Sequence, residues 1–529
     1  MTCRRRARLA LALALAASLS AQARPEARPE ASIATGRLAG AVEDGVSVFR
    51  GVPFAAPPVG PLRWRPPQAS AAWAGVREAT RFGPACPQGH PHGIVDVVPY
   101  GGAPPPTSED CLTLNVWAPA PATGRAPVMV FFHGGSGVFG AGSLPYYDGA
   151  RFARDGVVLV TVNYRLGALG GFAHPALARE AKPGELQGNY ALMDQMAALR
   201  WVRRNVSAFG GDPANVTIFG ESAGGISVLN LVTTPSAWGL FQKAIVESGG
   251  GWFPPGQSRD KAEAAGVKIA AALGVPATGT AAQLRRIPAQ ALADTNLPQA
   301  GYTDPRLSPE GMTSAIDAGR HAAVPLMIGV NSGEDSLLDH GGGVAKARAT
   351  IKPGVMAQLR QLYGGVDDDT LARDYFRDAL ATAPARWVTR KWSVKAPAYL
   401  YRFEHVDEAA LPRRTRAPHG GEIFYVFETL GKQPASLGAA GPTPGDERLA
   451  ADIHARWVAF ARTGSPNPPG RPHWPACSPN ADRWMVFAQN GPVVRDHLMQ
   501  KQLDWHEART APLIVMLRLQ AEWARLFRS

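Results

Sequence analysis

Cysteine is scarce in this 529-residue chain: there are four, with no C-x-x-C pair and no histidine pair at ligand spacing. A structural zinc site, which gathers four such ligands, is therefore disfavoured. Beyond the N-terminus no run of about 20 apolar residues occurs, so no helix there has the length and apolarity to span a bilayer. There is no self-similarity at a solenoid or propeller period. No linker is long or polar enough to divide the body into independent domains. Acidic residues are the minority charge, 43 against 55 Lys and Arg, for a formal net charge of +12. That excess is not gathered into a basic stripe with interleaved aromatics, the usual footprint of nucleic-acid binding, so no nucleic-acid partner is expected. Hydrophobic residues make up 45% of the chain, enough for a large buried core.

What is present begins with a leader. Arg4, Arg5, Arg6 and Arg8 form a positive n-region, Leu9 to Ala17 is a short apolar run, and Ala21-Gln22-Ala23 is a small-x-small cleavage signal. Residues 1–23 read as a signal peptide, 24–32 as a disordered proline-containing tether, and 33–529 as one domain. No cysteine follows the cleavage site to carry a lipid. The expectation is an exported chain, periplasmic or secreted, with no stable membrane anchor. Cleavage removes four arginines and no acid, so the net charge falls from +12 to +8. It also removes Cys3 and leaves Cys86, Cys111 and Cys477. In an oxidising compartment the first two, 25 positions apart, can close a loop. Such a bridge stabilises by roughly 3–4 kcal/mol in the chain-entropy model. Cys477 is then the odd one out.

From residue 33 onward short apolar runs alternate with helical patterns, the rhythm of an α/β fold whose mostly parallel sheet is covered on both faces. Candidate strands are Val128 to Phe132, Val157 to Val162, Val216 to Phe219, Ala244 to Val246, Leu326 to Val330 and Tyr399 to Phe403. Several are apolar throughout, as strands buried on both sides should be. Tyr190 to Asn205, Leu449 to Arg462 and Pro512 to Leu526 have helical spacing. Between about Pro254 and Pro325 the strand rhythm lapses into Ala-rich helix formers. This stretch is expected to be a helical insertion over the sheet's C-terminal edge, walling a substrate cleft.

The strand ending at Phe219 runs into Gly220-Glu221-Ser222-Ala223-Gly224, and a helix pattern follows. A serine on a sharp strand-to-helix turn has its hydroxyl exposed, and the flanking glycines let the turn close. The following helix directs N–H groups toward a developing oxyanion. Ser222 is therefore the candidate nucleophile. The strand Val128 to Phe132 leads into His133-Gly134-Gly135-Ser136-Gly137, where glycines allow close backbone approach. N–H groups of Gly134, Gly135 and Ser136, with that of Ala223, are the candidate oxyanion donors. After Leu326 to Val330 come Glu334 and Asp335, either of which can orient an imidazole. His419, between Pro418 and Gly420-Gly421, lies in a loop on the same sheet edge and is the candidate base.

With these residues in hand, the chain resembles the type-B carboxylesterases, the carboxylesterase/cholinesterase group of the α/β-hydrolase fold, from about Thr35 to the C-terminus. The segments that carry the resemblance include Phe49 to Gly60 with Leu62-Arg63-Trp64, Ser108 to Val116, and Asn163 to Gly167. Gly188 to Gln195 and Phe209 to Pro213 fit as well. The resemblance implies a disulfide between Cys86 and Cys111. It implies Glu334 as the acid, although the family's Asp-Glu-Gly reads Gly333-Glu334-Asp335 here. His419, followed by Glu422 and Tyr425-Val426-Phe427, matches the family histidine. The oxyanion loop departs, with Ser136-Gly137 where many members carry a third glycine and an aromatic.

The implied reaction is two-step acyl transfer by a Ser222–His419–Glu334 triad on a small-molecule ester, needing no metal or organic cofactor. A non-catalytic cholinesterase-like binding protein is the alternative from another class, but it would lack a triad member. No long apolar surface stretch marks an interfacial lid, which disfavours a lipase; an amidase is a further alternative. Arg413, Arg414 and Arg416, just before His419, suggest a preference for carboxylate-bearing esters through charge-assisted hydrogen bonds.

Overall fold

The computed structural model describes residues 28–89, 106–120, 124–250, 252, 258–297, 304, 306–307, 310–339, 341–408, 410–411, 414–433 and 441–526, with side chains to residue 521. The leader expected over 1–23 lies outside them. Of the expected tether, only its start does: Glu30–Ile33 (β1) pairs antiparallel with Gly36–Ala39 (β2). Ala31 is buried there, so the segment gains ladder hydrogen bonds and apolar contact that a polar tether lacks.

Among the described residues the main sheet has eleven strands. Its first members are Ala41–Glu43 (β3), Val46–Pro53 (β4) and, after Val76–Glu78 (β5) in a small side sheet, Thr113–Pro119 (β6). Ala126–Phe132 (β7), Val158–Val162 (β8), Gly211–Glu221 (β9), Lys243–Glu247 (β10), Leu326–Asn331 (β11) and Ala398–Phe403 (β12) cover the six expected strands, except that Val157 precedes β8. Arg483–Ala488 (β13) and Gly491–Asp496 (β14) complete it. The spatial order is β14-β13-β12-β11-β10-β9-β7-β8-β6-β4-β3. Pairings from β8 across to β13 are parallel, and both margins are antiparallel.

The apolar runs form central strands because both of their faces are covered. In β7, Val128, Val130 and Phe132 enter one apolar layer with Met193, Met196 and Leu199 of the helix Tyr190–Asn205. Met129 and Phe131 point the opposite way, into a layer with Leu449, Ile453, Trp457 and Phe460 of the helix Pro444–Thr463. Period-2 alternation thus splits one apolar strand between two cores.

The segment expected to be a helical insertion contains helices Arg259–Ala272, Ala281–Arg285, Ala289–Ala293 and Met312–Asp317. Ala289–Ala293 packs against Gly167–Gly171, which begins just past the C-terminal end of β8. The last helix differs from expectation: it starts at Gln500, and Pro512 lies inside it. A proline in a helix interior costs roughly 3 kcal/mol. Burial of Leu503, Ile514 and Leu517 along the same helix offsets it. Cys86 and Cys111 form a disulfide, and Cys477 is free and buried. Among the described residues, no helix is long and apolar enough to cross a membrane.

Candidate active site

β9 ends at Glu221, and the next residue, Ser222, caps the helix Ala223–Val232 with φ +54° and ψ −120°. Positive φ strains a residue with a Cβ, and here two close approaches impose it. A Cβ on Gly220 would lie 2.6 Å from the Phe132 carbonyl oxygen, and one on Gly224 would lie 1.9 Å from it. Only glycine at both positions lets the turn pass so close to the end of β7. The Ser222 N–H donates to the Glu247 carbonyl at 2.8 Å, and the Ile226 N–H donates to the Ser222 carbonyl at 2.9 Å. The turn is thereby pinned to the end of β10 and to its own helix, with Ser222 half-buried.

The Gly-rich loop leaves β7 beside this turn. His133 is buried and stacks on Tyr164 at 4.4 Å, and the Tyr164 hydroxyl donates to the His133 carbonyl at 2.5 Å. Gly135 has φ +105° and Ser136 φ +55°. A Cβ on Gly135 would sit 2.1 Å from the Phe139 carbonyl oxygen, so glycine is required there. The backbone N–H groups of Gly134, Gly135, Ser136 and Ala223 donate to no other described residue. They can serve a ligand oxygen. Ser136 itself is exposed.

β11 delivers the chain to Glu334, and the loop after β12 carries His419. Burial leaves the two side chains 1% and 3% exposed, and His419 Nδ1 is hydrogen-bonded to Glu334 Oε2. The other carboxylate oxygen of Glu334 accepts the Asn331 N–H at 2.8 Å, which fixes its orientation. The far ring nitrogen, His419 Nε2, lies 3.2 Å from Glu221 Oε1, on the residue directly before Ser222. Asp335, the other carboxylate left open by the residue pattern, turns instead toward Arg373 and Arg416.

The sequence pattern of the Carboxylesterase family matches residues 27–343 and 356–506. The chain belongs to the carboxylesterase family. It is 37% identical over 473 residues to the fumonisin B1 esterase of Sphingopyxis macrogoltabida, covering 82% of each chain. Its identity to the para-nitrobenzyl esterase of Bacillus subtilis is 36% over 465 residues, 83% of this chain and 91% of that one. A solved PNB esterase structure superposes with a TM-score of 0.79 at 32% identity, covering 90% of this chain and 99% of that one. The fold is that of the α/β-hydrolases, and the activity is carboxylic-ester hydrolysis.

Among the described residues, this carboxylesterase buries Glu221 and Glu422 beside His419, and Glu247 next to those two, carboxyls to which the sequence pattern assigns no role. Glu221 and Glu422 lie within the two quoted motifs, which is the one signal that could have flagged them. Glu422 accepts from Ser248 Oγ at 3.3 Å and from Asn331 Nδ2. Glu247 accepts from Trp457 Nε1 at 2.6 Å. Burial pushes Glu221 up to about 8 and Glu422 up to about 7, and holds Glu247 well above the ordinary carboxylate range. Burial alone would lower the imidazolium of His419, but Glu334 and Glu221 outweigh it and raise its pKa to about 10. Each neighbouring carboxyl that keeps its proton withdraws one negative charge from the ring. The imidazole and the carboxyls therefore titrate together.

Among the described residues one group has metal-type ligands in reach of one another: His405, Asp407 and Asp446. Their atoms are already engaged, His405 Nε2 with Asp446 Oδ1 at 2.6 Å and Asp407 with the Tyr425 hydroxyl. Of the three arginines before His419, Arg416 is held by Asp335 and Asp374, at 3.4 and 2.7 Å. Arg414 borders a small cavity beside His405 and Asp407. Arg413 lies outside the described residues.

Proposed function

We propose that the carboxylesterase works by a Ser222–His419–Glu334 triad through an acyl-enzyme intermediate. The observation that carries this reading is the buried hydrogen bond between Glu334 and His419, with the far edge of the ring facing Glu221, the last residue of β9 and the one directly before Ser222. Glu334 fixes the tautomer by holding the proton on Nδ1, which leaves Nε2 as the base. His419 then takes the Ser222 hydroxyl proton as Oγ attacks the ester carbonyl carbon. The negative charge that develops on the carbonyl oxygen is met by N–H groups of Gly134, Gly135, Ser136 and Ala223. The alcohol leaves with the proton from His419. Water, activated by the same imidazole, attacks the acyl-enzyme, and the carboxylic acid departs.

The leader pattern over residues 1–23 and the Cys86–Cys111 disulfide support export to the periplasm or the medium. A preference for carboxylate-bearing esters gains no support from Arg416, whose guanidinium is already paired with two aspartates. The test of the triad is a rapid-mixing assay with an activated ester. Wild-type enzyme should release one equivalent of alcohol in a burst, and Ser222→Ala should abolish burst and turnover. An undiminished burst in that variant would overturn the reading.

A further inference from the structure

Two departures from the family's Asp-Glu-Gly pattern flank Glu334, and both face the loop that carries His419. Gly333 stands where the family has an aspartate, and Asp335 where it has a glycine. The Gly333 N–H donates to the Ala417 carbonyl at 2.8 Å, and a Cβ on Gly333 would lie 2.7 Å from that oxygen and 3.0 Å from Arg416 Cβ. The two loops are stitched further by side chains. Ser332 Oγ accepts the Ala417 N–H at 2.9 Å, and Ser336 Oγ accepts the His419 N–H at 3.0 Å.

Asp335 extends this seam outward as an ionic one. Its carboxylate spans Arg416 of the histidine loop at 3.4 Å and Arg373 of the helix Asp368–Arg377 at 3.2 Å. Arg373 also reaches Asp339 at 2.7 Å, and Arg416 reaches Asp374 at 2.7 Å. Asp374 in turn accepts from Arg377, whose guanidinium clasps Asp378. Charges of alternating sign thus run from the acid turn through the histidine loop to one surface helix. The Asp335 side chain is only 9% exposed, so the pairs centred on it are shielded from solvent more than ordinary surface pairs.

We propose that Asp335 is a positioning residue: through Arg416 it locks the turn bearing Glu334 to the loop bearing His419, and through Arg373 it ties both to the helix Asp368–Arg377. The proposal rests on the assignment of Glu334 and His419 as acid and base. A base held in the wrong place loses rate without losing substrate affinity, because misplacement acts on the reacting geometry. Removing the carboxylate at 335 takes one partner from each arginine, leaving Arg373 on Asp339 and Arg416 on Asp374, and loosens the ionic link between the acid turn and the histidine loop.

The test is single-turnover acylation of the full chain by an activated ester, comparing wild type with D335N, R416Q, the double variant and S222A. D335N should slow acylation by about tenfold, a fraction of the loss that a full 1 Å misplacement brings. The substrate concentration that gives half-maximal acylation rate should stay at its wild-type value, and full acylation should still release one equivalent of alcohol, which shows that the sites are folded and loaded. The double variant should be no slower than D335N, because both changes break one link. Acylation in D335N within about twofold of wild type, or losses that multiply in the double variant, would overturn the proposal. Should D335N not fold, R416Q and R373Q carry the same comparison: a comparable slowing supports the link, and acylation within about twofold of wild type overturns it. A burst that survives in S222A would overturn the triad assignment instead, independently of any result at Asp335.

Discussion

His419 and Glu334, 85 positions apart, meet at an Nδ1–Oε2 hydrogen bond from which solvent is almost wholly excluded. A neutral amide at 334 keeps the shape and offers either a weaker acceptor or a donor, so the ring can take the wrong tautomer. Glu334→Gln should lower kcat by roughly 10³- to 10⁴-fold with KM little changed. Steady-state kinetics on a folded variant, checked by its thermal midpoint, decides this; a loss below tenfold would point to another orienting group.

The second carboxylate against the ring predicts a pH effect of definite sign. Glu221 raises the His419 pKa, and the base works only when deprotonated, so Glu221 moves the acid limb of kcat/KM toward higher pH. Glu221→Gln removes that charge, and the limb should shift to lower pH. The shift is expected chiefly above the range in which Glu221, itself raised to about 8, becomes ionised. A pH profile of kcat/KM for both proteins tests it, and an unmoved or upward-shifted limb contradicts it.

Gly224 passes so close to the end of β7 that even a methyl group must displace backbone. Gly224→Ala should destabilise by about 3 kcal/mol or more, the upper range for overpacking a rigid site. Ser222→Ala, which keeps a Cβ in the same turn, should leave stability nearly unchanged. Urea unfolding of the two variants separates strain at the turn from loss of the hydroxyl.

The disulfide and the free thiol should behave differently under the same substitution. Replacing Cys86 and Cys111 by serine opens a loop of 25 residues and should cost roughly 3 kcal/mol. Burial pushes the Cys477 thiol up to about 11, so it stays protonated and unreactive toward alkylating reagents in the folded state. Thiol titration before and after denaturation, alongside unfolding curves, checks both.

Local chemistry makes the scaffold legible. The strands β7 to β12 announce themselves as short, mainly apolar runs because their two faces meet separate cores. The helix Tyr190–Asn205 is readable from its spacing alone. The marginal strands are not, since β14 is largely exposed and has no apolar run to reveal it. The last helix begins well before Pro512, against the spacing, because burial from Leu503 onward outweighs one missing backbone hydrogen bond. Glu247 and its partner Trp457, 210 positions apart, have no local signal at all.

The sequence by itself determined the turn around Ser222, the Gly-rich loop after β7, and the family, because each is written within a few consecutive residues and constrained by sterics. The residue pattern on that turn left Glu334 and Asp335 open, and the family resemblance pointed to Glu334. Only the tertiary structure decided which faces the imidazole: Glu334 turns inward to His419, while Asp335 turns outward to Arg373 and Arg416. A side chain's direction depends on what the fold packs beside it. Here that is a histidine 85 positions away on one side and two arginines from different elements on the other.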